Sequence, residues 1–77
     1  MVSYDNVTVQ VGSCVRLEDM DGEEEFFVVP TAEADPVQRR ISMDSPLGRA
    51  LLGHGVGERV AVRAPGGLRA VTILSLA

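Results

Sequence analysis

The sequence predicts an α+β domain, a twisted and mostly antiparallel sheet of five or six short strands with one short helix packed across it. Three observations carry this expectation. Short apolar–polar alternations of period two recur along the chain, Gly- and Pro-containing turn signals separate them, and only residues 45–53 combine helical periodicity with both a start and a stop signal.

Residues 1–6 are expected to form a flexible N-terminal segment ahead of a single domain over residues 7–77. Val7-Thr8-Val9-Gln10-Val11 alternates as a half-buried strand does, and Gly12-Ser13 ends it. Cys14-Val15-Arg16-Leu17-Glu18 resumes the alternation with Val15 and Leu17 inward. Asp21-Gly22 is a turn signal before Glu25-Phe26-Phe27-Val28-Val29, giving a hairpin with an acidic tip. Residues 30–40 hold two prolines and no periodicity, so they read as a connection of about ten residues, longer than the usual 4–6 or so.

Ile41 and Ser42 read as a strand running into the helix. Ser45 suits the N-cap because its hydroxyl can accept from a free N–H of the first turn, and Pro46 suits the first helical position, where an N–H is not needed. Leu47, Ala50 and Leu51 share one face, and Gly53 suits the left-handed stop. About two turns fit between these signals, whereas an isolated helix needs about 12–15 residues. Packing must therefore hold it, and a helix so clamped fixes Asp44, Ser45 and Pro46 as a rigid corner at the sheet's rim. That corner is the leading candidate for function.

Residues 53–58 form a turn-rich surface crossing, and Arg59-Val60-Ala61-Val62-Arg63 is a strand with Val60 and Val62 on one face. Ala64-Pro65-Gly66-Gly67 predicts a type II turn with the positive φ at Gly66. Residues 68–76 make the last strand. Both of its faces are partly apolar, which requires either burial on both sides or a bulge.

Composition narrows the function classes. Seventy-seven residues, 45% of them hydrophobic, support one compact core and no second domain. The longest apolar runs are a few residues, far short of the ~20 of a membrane-spanning helix, and no signal peptide is visible; no membrane partner and a cytoplasmic location are expected. A single cysteine, Cys14, cannot form an internal disulfide and reads as a buried structural thiol. Net charge is −4, split into −8 over residues 1–35 and +4 over residues 36–77. An acidic chain with no lysine argues against direct, sequence-specific nucleic-acid binding and against Lys-containing phosphate loops. The acidic run from Glu18 to Glu25 lacks calcium-loop spacing and reads as a solvated tip, and His54 has no second ligand at metal spacing, so neither a metal nor a cofactor is expected. Arg39 and Arg40 read as surface charge.

Ser42-Met43-Asp44-Ser45-Pro46-Leu47-Gly48-Arg49-Ala50-Leu51-Leu52-Gly53 resembles the signature of the C-terminal domain of the GreA/GreB transcription elongation factors. Glu33-Ala34-Asp35 before it, Gly57-Glu58-Arg59-Val60 after it and the late turn Pro65-Gly66-Gly67 resemble the family's other motifs, in the same order over roughly residues 7 to 76. The resemblance implies an FKBP-like fold and docking on bacterial RNA polymerase, at the β′ subunit's coiled-coil rim of the secondary channel. It assigns that contact to Asp44, Ser45 and Pro46. Read from the residues alone, Asp44 is more readily a local capping group than a contact, and it is the resemblance that favours the contact.

The full factors also carry a long N-terminal helical hairpin that promotes RNA cleavage, and no segment here has the heptads for one. A noncatalytic, polymerase-binding domain is therefore expected. An exposed edge could pair between chains, but the acidic hairpin discourages it, so a monomer is expected. Two alternatives stand beside this reading. One is a peptidyl-prolyl isomerase of the FKBP type, against which the small aromatic set, Tyr4, Phe26 and Phe27, argues. The other is a regulator of the Rnk type, against which the missing helical arm argues.

Overall fold

The computed structural model describes residues 7–77. Residues 1–6, expected as a flexible segment, lie outside the described residues. Five strands and one helix follow in the order β1 (Cys14–Asp19), β2 (Gly22–Val29), β3 (Arg40–Ser42), α1 (Pro46–Leu51), β4 (Arg59–Ala64) and β5 (Gly67–Leu76). They form one sheet in the spatial order β3-β2-β1-β5-β4, antiparallel throughout except for the parallel β2–β3 pair.

This order dictates where the helix goes. β3 and β4 occupy opposite edges, so the chain between them must cross a face of the sheet, and α1 is that crossing, packed against β4 and β3. The face it covers is built by alternation. Val15 and Leu17 of β1, Val28 of β2, Val60 and Val62 of β4, and Val71 and Ile73 of β5 are buried together beneath Leu51, which has no exposed surface. Burying one leucine this fully stabilises by about 1.5–3 kcal/mol, enough to hold a six-residue helix that would not persist alone.

The two-sided apolar character of the last strand resolves as a bulge. Leu17 pairs with Ile73 and Val15 with Leu76, so two steps along β1 match three along β5, and the register shifts between Arg16 and Leu17. The extra residue changes the phase of alternation, and Leu76 packs on the same core as Ile73.

Two expectations are corrected. Residues 7–11 are not a strand: only Thr8 makes an isolated bridge, to Gly55, while Val9 N–H donates to the His54 carbonyl at 2.8 Å and Gly53 N–H to the Val9 carbonyl at 2.9 Å. Their backbone partners belong to a loop, and of the three valines only Val9 is buried. In the β4–β5 hairpin the positive φ falls on Gly67 (125°), not Gly66. The β1–β2 hairpin closes the same way, with Gly22 at 123° opposite Asp19. Putting the positive φ on the first residue of the returning strand lets the hairpin follow the strands' right-handed twist, which a type II turn does not.

The long connection contains two 3-10 turns, Thr31–Glu33 and Pro36–Gln38. The second is capped by Asp35, whose carboxylate accepts from the Val37 N–H at 3.1 Å.

Candidate functional site

β3 ends at Ser42, and Ser42 organises the corner that follows. Its carbonyl accepts from the Ser45 N–H at 3.0 Å and from the Ser45 hydroxyl at 2.7 Å. Ser45 Oγ in turn accepts from the Gly48 N–H at 3.0 Å, which satisfies one of the free donors of the first helical turn, and Pro46 fills the first helical position. The helix sits so close to β3 that a Cβ on Gly48 would lie 2.2 Å from the Ser42 carbonyl oxygen. Only glycine permits that approach.

Asp44 projects from this corner. Its N–H donates to Ser42 Oγ at 3.0 Å, and its Oδ2 accepts from Thr31 Oγ1 at 2.9 Å. Thr31 Oγ1 and Ser42 Oγ are themselves 2.7 Å apart. Asp44 and Pro46 are exposed and Ser45 is half-buried, so the three expected site residues are adjacent in space as in sequence and do different work. Ser45 holds the corner, while Asp44 and Pro46 present surface.

Beside the corner the sheet's helix-covered face continues into an open groove of about 370 Å³. Its floor is apolar, with Leu17, Phe26, Ile41, Val62 and Val71, and one wall is the start of the helix, Ser45, Pro46 and Leu47. Its rim is charged. Asp19 pairs with Arg69 there, Glu24 pairs with Arg39 at 2.6 Å, and Arg63 has no ion-pair partner among the described residues. Arg39 also lies over the Phe26 ring, 5.6 Å from its centroid. Phe26 is the one aromatic lining the groove; Phe27 points to the opposite face, and Tyr4 is outside the described residues. Asp44 is not part of the lining but stands next to Ser45 at its mouth.

The other sequence candidates are dispersed. His54 Nδ1 bonds Glu58 Oε1 at 2.8 Å, while Glu58 Oε2 accepts from the Gly55 N–H at 2.6 Å. The imidazole bond first, and the Gly55 amide second, hold the Glu58 carboxyl below its ordinary value. This pair closes the loop between α1 and β4. Cys14 is half-buried rather than buried; partial burial, then its hydrogen bond to Glu25 and that carboxylate's charge, push its thiol up, away from the reactive thiolate. Among the described residues no three His, Cys, Asp or Glu side chains cluster as metal ligands, and no helix is long and apolar enough to cross a membrane.

Two residues escaped sequence reasoning. Gly48 reads as a poor helix former, and its position in the middle of so short a helix was the available signal of a close backbone approach. Thr31 lies 13 residues from Asp44 in a stretch without periodicity, and nothing local points to it.

Residues 5–77 match the sequence model of the family described as "Transcription elongation factor, GreA/GreB, C-term". Among relatives, the chain is 43% identical over 74 residues to the transcription elongation factor GreA of Bacillus cereus (strain AH187), covering 94% of this chain and 47% of that protein. It is 44% identical over 73 residues to GreA of Clostridium acetobutylicum, covering 92% and 46%. The chain thus spans about half the length of the curated relatives it matches.

Among solved structures, the fold is similar to the GreA factor homolog Gfh1 of Thermus thermophilus. The TM-score is 0.80 at 32% identity, over 100% of this chain and 53% of that one. It is also similar to the GreA/GreB elongation factor of Nitrosomonas europaea, with a TM-score of 0.77 at 28% identity over 94% and 62%. With a family match across nearly the whole sequence and a matching fold, the chain belongs to the GreA/GreB transcription elongation factor family, in its C-terminal domain.

Proposed function

We propose that this domain is a noncatalytic docking module that binds bacterial RNA polymerase in the cytoplasm as a monomer. It seats at the rim of the secondary channel, on the coiled-coil rim of the β′ subunit, through Asp44, Ser45 and Pro46. The observation that carries this reading is the corner itself: the residues that resemble the family's signature are held by backbone and hydroxyl contacts to Ser42 before any partner arrives. A surface ordered in advance loses little freedom on binding, and the adjoining apolar groove adds area that an inserted side chain would bury. The exposed carboxylate of Asp44 favours a cationic group on the partner. Among the described residues there is no coiled-coil hairpin, so stimulation of RNA cleavage is not assigned to this domain.

The test is fluorescence anisotropy of the labelled chain titrated with bacterial core RNA polymerase, beside Asp44→Arg, with circular dichroism of both. Asp44 is exposed and outside the core, so the variant is expected to fold and to bind at least about tenfold more weakly, because it sets like charges against each other. Absence of binding by the wild-type chain would reject the reading. Equal binding by the two would keep the partner and move the contact away from the corner.

A further inference from the structure

We infer that Thr31 is a positioning residue for the docking contact, fixing the Asp44 carboxylate through a closed ring of hydrogen bonds with Ser42. The inference rests on the docking reading given above. It starts from three distances: Asp44 N to Ser42 Oγ 3.0 Å, Ser42 Oγ to Thr31 Oγ1 2.7 Å, and Thr31 Oγ1 to Asp44 Oδ2 2.9 Å. An ionised carboxylate only accepts, so Thr31 must spend its single proton on Asp44. Ser42 must then donate to Thr31, because Thr31 has no second proton to offer, and Ser42 Oγ is left to accept from the Asp44 amide. Every hydroxyl donates once and accepts once, and the ring closes on one residue with a single sense.

An aspartate on an exposed turn otherwise samples several rotamers, and binding through it would first have to select one. Here a residue 13 positions away, held at the start of the Thr31–Glu33 turn, makes that selection in the free protein. Among the described residues no donor reaches Asp44 Oδ1, so one carboxylate oxygen of this exposed residue is committed to the ring and the other is left to accept from a partner's guanidinium or ammonium group. The long connection between β2 and β3 thereby acquires a role in recognition without touching the partner.

The experiment is a double-mutant cycle on binding to core RNA polymerase, using the whole chain and the variants Thr31→Val, Thr31→Ser, Asp44→Ala and Thr31→Val with Asp44→Ala, each checked for an unchanged thermal midpoint. Valine keeps the shape of threonine and removes the hydroxyl. Thr31→Val is expected to weaken binding by about three- to tenfold, the cost of immobilising one side chain. Thr31→Ser is expected to bind as the wild type does, and Thr31→Val is expected to add nothing once Asp44 is alanine. A Thr31→Val chain that binds normally while Asp44→Ala does not would overturn the positioning role and leave docking intact. Additive losses, or a serine variant as weak as valine, would also overturn it, since Thr31 would then act independently of Asp44. Normal binding by Asp44→Ala would remove both the contact and the role.

Discussion

At the corner over residues 42–48 the turn is closed by a side-chain oxygen, Ser42 Oγ accepting from the Asp44 N–H at 3.0 Å. At the β1–β2 tip Asp19 Oδ1 accepts from the Asp21 N–H at 2.8 Å. Both are acidic turns two residues wide with the same local chemistry. They differ in what stands behind them. The corner is backed by the Ser42 carbonyl, the first turn of α1 and Thr31, whereas at the tip the turn residues 19–22 have one ion pair behind them, Asp19 with Arg69, and carry Met20 fully exposed. Local turn chemistry makes a bend; tertiary contacts from distant residues turn a bend into a surface that holds its shape.

Gly48→Ala is the strongest way to break that distinction. The added Cβ would lie 2.2 Å from the Ser42 carbonyl oxygen, which is backbone and cannot swing aside, so α1 and β3 must separate. A loss of about 3 kcal/mol is expected, in line with overpacking at a tight site, read as a fall in the urea midpoint. Gly22→Ala is the matched control at the tip. Nothing lies within 4 Å of its Cβ, so it meets only the strain of φ 123°, about 1–2 kcal/mol. Equal losses at the two glycines would mean that the corner is no more tightly built than the tip.

Ser45→Ala comes next. It removes the cap bond to the Gly48 N–H and the bond to the Ser42 carbonyl together, and is expected to cost about 1–2 kcal/mol in thermal or urea unfolding. The change leaves Asp44 and its Thr31 bond in place, so weaker binding to polymerase would mean that Ser45 serves docking beyond Asp44, by its own contact or by holding the corner. Unchanged binding would assign Ser45 to stability alone.

The helix corner was legible in the sequence because capping is a local affair: Ser45, Pro46 and Gly53 announce their roles within one or two turns of themselves, and the observed cap and stop agree. The paired strands β1, β2, β4 and β5 were legible for the same reason, through alternation. What was not legible depends on which segments meet. The alternation of residues 7–11 is real, yet its backbone partners lie in the 53–55 loop, so no ladder forms. Whether the last strand bulges could be settled only by its register against β1. Gly48 and Thr31 matter through the distance to Ser42 and Asp44, and no spacing rule encodes a contact 13 residues away in a stretch without periodicity.

The smallest expected effect is at the tip, and it tests the comparison from the other side. Arg69→Ala removes the partner of Asp19, a carboxylate whose side chain is only 13% exposed, while Arg69 itself is 54% exposed. Water screens the arginine end, and Asp19 keeps its bond from the Asp21 N–H, so the cost is expected to be at most about 1 kcal/mol, a few degrees in the thermal midpoint. Because the pair is open to solvent at one end, the difference between wild type and variant is expected to shrink in about 1 M salt, where charges are screened over ~3 Å. Ser45→Ala carries no such salt dependence, since its bonds are between neutral groups. A salt-insensitive loss at Arg69 as large as that at Ser45 would mean the tip is a built structure of its own, and the acidic hairpin would then compete with the corner as the surface a partner reads.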